Sequence, residues 1–214
     1  MTLDISSMEN AMRADDIQLL DQLLDDTPNH FDNDKWGRTI LHDAASHRSL
    51  KVLRHLVERG GNVNVVSSKE GETPLVLAAS SGIPEKVRFL LDNGAILQTG
   101  KSIQNPLFGA ISSYTSPRGR GLPKENYTQI VKMLLDAGID ATVRYNSDTM
   151  IDMDAMAFAW MWGRQDIARL IAEHLYPDDK VAQQAAIERA RAVAQKTADH
   201  NDRSARAYEE KTRT

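Results

Sequence analysis

Cysteine is missing from all 214 residues. That absence excludes disulfides, cysteine nucleophiles, thiolate zinc sites and iron–sulfur ligation together. Long apolar runs are missing as well. No stretch approaches the ~18 residues that span a bilayer, and the opening MTLDISSMENAMRADDIQLLDQLLD has neither a basic start nor an apolar signal core. The expectation is a folded cytoplasmic protein with no membrane partner. Positive charge is not in excess: the net charge is −4 and the pI is near 5.9, so no nucleic-acid partner is expected. One PRGRG segment in an acidic chain does not change that. Catalytic signatures are absent too, with no phosphate-binding glycine loop, G-x-S-x-G elbow or H-E-x-x-H helix. His42 and His47 are five residues apart, about 140° around a helix, and cannot share a metal. Neither catalysis nor a bound metal or cofactor is expected.

What is present is 41% hydrophobic residues against 26% charged, enough to bury a core. The charge is uneven. Residues 1–32 carry eight acids and one base, Arg13, for −7, which leaves +3 for residues 33–214. Two readings stay open: a solvated acidic helix face, or a patch that steers a basic partner.

The chain repeats itself. GRTILHDAASHRSLKVLRHLVERGGNVN (residues 37–64) superposes without a gap on GETPLVLAASSGIPEKVRFLLDNGAILQ (71–98), matching Thr39 to Thr73, Leu41 to Leu75, Ala44–Ala45 to Ala78–Ala79 and Gly60 to Gly94 at a spacing of 34. A third unit runs from NPLFGAIS at Asn105 to VKMLLDAGIDA, with Gly138 in the place of Gly94 and about 12 extra residues between its helices. A fourth, DAMAFAWMWGRQDIARLIAEHL (154–175), keeps Gly163 and the apolar pattern but lacks the threonine and proline. Upstream, ENAMRADDIQLLDQLLDDTP fits the same helix, turn, helix pattern without a preceding hairpin.

Each recurring residue has a physical role. Thr39 and Thr73 stand where a helix begins and can cap its free N–H groups, and Pro74 sits at a first helical position. Gly82 and Gly163 make the turn between paired helices, a place held by Arg48 in the first full repeat, while Gly94 and its counterparts end the second helix. The paired alanines let neighbouring helices approach.

A period near 33 with T-P-L-H-x-A-A, then G, then V-x-x-L-L-x-x-G-A resembles the ankyrin-repeat family across residues 9–175. The resemblance implies an all-α solenoid of stacked helix-turn-helix units joined by β-hairpin-like loops. The organisation expected is a capping repeat over 1–32, four repeats over 33–175 with an insertion at about 112–126 in the third, and a C-terminal helix and disordered tail over 176–214. That helix is expected to run to about Lys196, laying an alanine stripe on the last repeat.

Function follows from the same resemblance: a protein-recognition scaffold, monomeric in isolation, with one protein partner. The resemblance also implies that His42 ties adjacent hairpins together rather than moving protons. Contacts are expected from hairpin tips and the exposed side of the first helices. Carried over, the first full repeat offers Lys35, Trp36, Arg38, Asp43, Ser46 and His47, and the second Lys69, Glu70, Glu72, Ser80 and Ser81. The third offers Lys101, Ser102, Gln104, Ser112 and Ser113, and the fourth Met150, Ile151, Met153, Met161 and Trp162. Trp36 and Trp162 lead, because aromatics dominate interface energetics, with Tyr114, Tyr145 and the insertion's Arg118 and Arg120 behind them. For Trp160 and Trp162 the competing reading is packing under the C-terminal helix. A small free-standing ankyrin chain acts most simply by covering a surface, as bacterial immunity proteins neutralise a toxin or enzyme domain. A scaffold or adaptor, or a secreted effector, is the alternative.

Overall fold

The computed structural model describes residues 5–25, 37–47, 49–68, 71–97, 105–113 and 122–212. Helices come in antiparallel pairs: α1 (Ile5–Ala14) with α2 (Ile17–Asp25), α3 (Ile40–Ser46) with α4 (Leu50–Glu58), α5 (Pro74–Ser81) with α6 (Pro84–Asp92), and α7 (Pro106–Ser113) with α8 (Lys124–Asp136). A short hairpin, β1 (Tyr145–Ser147) and β2 (Met150–Met153), precedes α9 (Ala155–Met161) and α10 (Gln165–Leu175). The long α11 (Lys180–Thr212) closes the chain. First helices stack on first helices, α3 on α5 on α7 on α9, and second helices form a parallel outer row, α4, α6, α8 and α10. This is an all-α ankyrin-type solenoid.

Helix starts follow the repeat even where the threonine is lost. Thr73 Oγ1 accepts from Val76 N at 3.4 Å, Asn105 Oδ1 from Leu107 N at 2.8 Å, and Asp154 Oδ1 from Ala157 N at 2.9 Å. Any short acceptor side chain at this position serves as a cap. At Thr39 the arrangement differs, because its backbone N donates to His42 Nδ1 at 3.0 Å. With Nδ1 accepting, the imidazole carries its proton on Nε2, which donates to Glu72 O at 3.1 Å in the next repeat. His42 is fully buried and spans two repeats, the structural role the family pattern implies.

The turn glycine Gly82 has φ +72°, and a Cβ built there would lie 2.6 Å from the Tyr127 ring. Conformation and space both demand glycine. Asn126 Nδ2 donates to Gly82 O at 2.9 Å, so α8 locks onto the same turn.

The capping pair docks through a polar contact as well as through Met8, Met12, Leu20 and Leu24. Asp21 Oδ1 accepts from His55 Nε2 on α4 at 2.6 Å and from Arg59 Nη1, just past the end of α4, at 2.7 Å. The His55 hydrogen bond, aided by the charges of His55 and Arg59, holds the Asp21 carboxyl below its ordinary value. One of the eight N-terminal acids is therefore a docking residue.

Two expectations change. The tail is helical well past Lys196, to Thr212. Its sequence holds no glycine or proline and is rich in alanine and arginine, and tertiary contacts fasten its middle. Thr197 Oγ1 accepts from Ile151 N at 3.3 Å, His200 Nε2 pairs with Asp148 O at 3.2 Å, and Asn201 Nδ2 donates to Thr149 O at 3.1 Å. The hairpin thus supplies a surface that sequence periodicity does not show. The insertion is also shorter than 112–126: α7 takes Ser112 and Ser113, and α8 begins at Lys124.

Candidate partner-binding surface

Small residues bring the inner row together. Ala44, Ala45, Ala78, Ala79 and Ala110 are fully buried between first helices, and a Cβ at Gly109 would stand 2.5 Å from Ser80 Oγ on the neighbouring helix. Packed this closely, α3, α5, α7 and α9 form one row, and its half-buried side chains offer a candidate contact face.

Across that face, equivalent positions meet at the repeat spacing. Arg38 forms an ion pair with Glu72, its counterpart 34 residues on, and both are partly buried. Ser46, Ser80 and Ser112 form a second file, each hydroxyl donating to a carbonyl of its own helix: Asp43 O at 2.9 Å, Val76 O at 3.0 Å and Phe108 O at 2.9 Å. The file between them holds Asp43, Leu77, Gly109 and Phe158. Around Gly109 the row opens into a notch of about 200 Å³ that Glu72, Ser80, Phe108, Ser112 and Phe158 help to line. Phe158 links onward to Phe108 at 4.4 Å and to Trp162 at 5.9 Å between ring centroids.

Of the expected contact residues, Arg38, Asp43, His47 and Glu72 are half-buried on or beside this face, and Trp162 is 37% exposed. Two are corrected. Ser81 is buried and donates to Ala78 O at 2.7 Å, because the turn at Gly82 folds it inward. Tyr145 is buried too: its hydroxyl accepts from Asn105 Nδ2 at 3.1 Å, its ring meets Phe108 edge-on at 5.0 Å, and burial pushes its phenol above the ordinary value. Met150 and Met153 are likewise buried in the core, with β2 packed against α11. Trp160 is half-buried with Arg191 of α11 at 6.0 Å from its ring, whereas Trp162 escapes that cover. Lys35, Trp36, Lys69, Glu70, Lys101, Ser102, Gln104, Tyr114, Arg118 and Arg120 lie outside the described residues.

Two structurally decisive cations were not anticipated. Lys86 on α6 is fully buried, and its Nζ donates to Ala44 O at 2.9 Å, Ala45 O at 3.2 Å and His47 O, capping the last turn of α3 from the next repeat. The available signal was a break in an apolar column, since the equivalent residues are Val52 and Ile130. Arg164, 3% exposed, joins Asp166 at 2.9 Å and Thr128 at 2.9 Å. The Arg164 hydrogen bond leads in pulling the Asp166 carboxyl down to about 2.

The outer row carries a second concavity of about 710 Å³ between α4, α6 and α8, with Arg54 stacked 4.8 Å over Phe89. Among the described residues no three His, Asp or Glu side chains gather as a metal site, and no helix is long and apolar enough to cross a membrane.

Residues 8–101 match the family model described as ankyrin repeats in three copies. The match ends where the third unit, with its insertion, begins. The chain is 30% identical over 118 residues to ANK repeat-containing protein nipk-1 of Caenorhabditis elegans, covering 54% of this chain and 19% of that protein. It is 28% identical over 108 residues to the B-cell lymphoma 3 protein homolog of Mus musculus, covering 50% and 22%. Over 61 residues it is 46% identical to the probable E3 ubiquitin-protein ligase XBOS31 of Oryza sativa subsp. japonica, covering 28% and 14%. The chain thus spans less than a quarter of the length of these relatives.

Proposed function

The chain belongs to the ankyrin-repeat family, a protein–protein interaction fold, and from that premise we propose that it binds one protein partner through its concave face and hairpin tips and neutralises that partner by covering its working surface. The observation that carries this reading is the continuity of the inner row. Contacts run without a break from the Arg38–Glu72 pair through the stacked helices α3, α5, α7 and α9 to the Phe108, Phe158 and Trp162 rings. The serine file spends its hydroxyl protons on its own helices, so the face is ordered before a partner arrives and little entropy is lost on docking. A rigid surface of this kind blocks well, and the partner class that fits is a toxin or enzyme domain met by an immunity-type inhibitor. Trp36, by its place ahead of α3, and Trp162 are the proposed aromatic anchors.

An adaptor holding two partners is the second reading. The outer concavity between α4, α6 and α8 favours it, because it lies on the opposite side of the stack.

Affinity capture from native cells followed by quantitative binding tests both. Trp162→Ala should weaken the captured partner at least tenfold, about 1.4 kcal/mol or more, while Arg54→Ala on the outer row should not. Saturating amounts of the chain should suppress the partner's activity stoichiometrically. Full affinity in both Trp36→Ala and Trp162→Ala would overturn the concave-face reading. An active partner at saturation, or two partners held at once, would overturn neutralisation in favour of the adaptor.

A further inference from the structure

The outer row carries charge in a repeated order. Arg54 on α4, Arg88 on α6 and Lys132 on α8 hold equivalent positions, and four residues on Glu58, Asp92 and Asp136 form a parallel acidic file. Arg169 and Glu173 repeat the pair on α10, and every member of both files is exposed. Helix stability asks for the reverse. Each acid stands in the last turn of its helix, where the dipole favours a cation, and base before acid is the weaker order for an i,i+4 pair. Lys132 and Asp136 do pair, at 3.6 Å, and Arg54 rests 4.8 Å over the Phe89 ring. Arg88, Glu58 and Asp92 have no ion partner among the described residues. Members of both files line the outer concavity of about 710 Å³, together with apolar Leu50, Val57, Phe89 and Met133.

We propose that the outer row docks an α-helix of a protein partner, laid across α4, α6 and α8. That helix carries acidic residues seven apart along one edge, basic residues seven apart along the other, and a large apolar side chain between them. The inference rests on the adaptor reading and deepens it by naming what the outer row takes. Spacing selects the helix. Packed helices stand about 8–10 Å apart, and seven residues of a crossing helix rise about 10.5 Å and return to nearly the same face. In an extended strand the same span is about three residues, and side chains three apart point to opposite faces. The two files lie one turn apart, about 6 Å along each outer helix, so one helix of about 10–12 Å diameter covers both. Charge then sets its edges. A uniformly acidic partner would meet the acidic file and a uniformly basic one the basic file, whereas opposed edges match both. The apolar side chain enters the concavity beside Phe89 and Met133.

The test is selection on the immobilised full chain from a displayed library of alanine-rich helices of about four heptads, randomised along one face. Enriched clones should carry aspartate or glutamate at every seventh position of one edge and lysine or arginine at every seventh position of the other. Arg88→Glu and Asp92→Lys should each weaken them at least tenfold, and the double variant should prefer clones with the two edges exchanged by a similar factor. Both positions are exposed, and circular dichroism melts check that each variant folds. Trp162→Ala on the inner row should leave binding unchanged. Clones that bind without opposed edges, or that ignore both substitutions, overturn the proposal, as does a selection that enriches none. A clone that behaves as expected yet displaces the partner captured on the inner row overturns the adaptor reading and leaves the outer-row site standing. Two natural partners held at once, with neither substitution weakening either, do the reverse: the adaptor stands and this site falls.

Discussion

Replacing Lys86 by methionine removes an ammonium group from the inside of the stack while keeping most of its unbranched stem. In the native chain that group donates to the carbonyls of Ala44, Ala45 and His47 at the end of α3. Hydrogen bonds from a charged donor contribute about 1.5–3 kcal/mol each, and a cation at a partly buried helix C-terminus adds up to about 2 kcal/mol. Against this stands the desolvation of a fully buried ammonium, several kcal/mol. Methionine removes both the gains and that cost. What it leaves is at least two buried carbonyls without their donor, at about 1–3 kcal/mol each. The net expectation is a loss near 3 kcal/mol, equivalent to about 6–12 °C in melting temperature for a chain of this size. Because solenoid units are stabilised by their neighbours, hydrogen exchange should accelerate first in α3 and at its interface with α5. Lys86→Gln, which retains a donor, should recover part of the loss. A methionine variant within about 0.5 kcal/mol of the parent, or more stable, would refute the reasoning: the carbonyls would then gain nothing from Lys86 beyond its desolvation cost.

Gly82→Ala should cost about 2 kcal/mol or more in urea denaturation, since φ is +72° and the new methyl meets the Tyr127 ring at 2.6 Å. A loss below about 0.5 kcal/mol would mean that the turn adapts. Asp166, held at about 2 by Arg164, contributes stability that is present above the unfolded carboxyl value and is lost as pH falls through about 2. Its side chain is 43% exposed, so screening reduces the contribution to about 1 kcal/mol or less. Carboxyl NMR titration should show Arg164→Met returning Asp166 toward its ordinary range. Truncation after Lys196 removes Thr197, His200 and Asn201 from the hairpin. Exchange of the Ile151 amide should rise at least tenfold while α5 and α6 stay protected; unchanged protection at Ile151 would contradict the bracing role given to α11.

The repeat was legible because a solenoid writes its geometry at fixed intervals. Thr73, Pro74, Gly82 and Gly94 each satisfy a local backbone demand, so their recurrence marks helix starts, turns and ends before any tertiary contact is known. His42 was legible only through the family resemblance, because its counterpart one repeat on is Val76 and its partner, Glu72 O, lies in the next repeat. The helical tail past Lys196 was not, because its support comes from a hairpin about fifty residues away. Nor was the burial of Ser81 and Tyr145, since alignment gives a position in the repeat and not what the neighbouring unit lays over it.

The amino-acid sequence by itself determined the architecture: units of about 33 residues, each with an apolar face that only a copy of itself can cover. Tertiary structure decided the chemistry between units. It sent Lys86 under α3 as a cap, joined Arg38 to Glu72, and hollowed the inner row at Gly109. Local periodicity depends on backbone requirements that each unit meets alone. Caps, ion pairs and notches depend on side chains that meet only once the repeats have stacked.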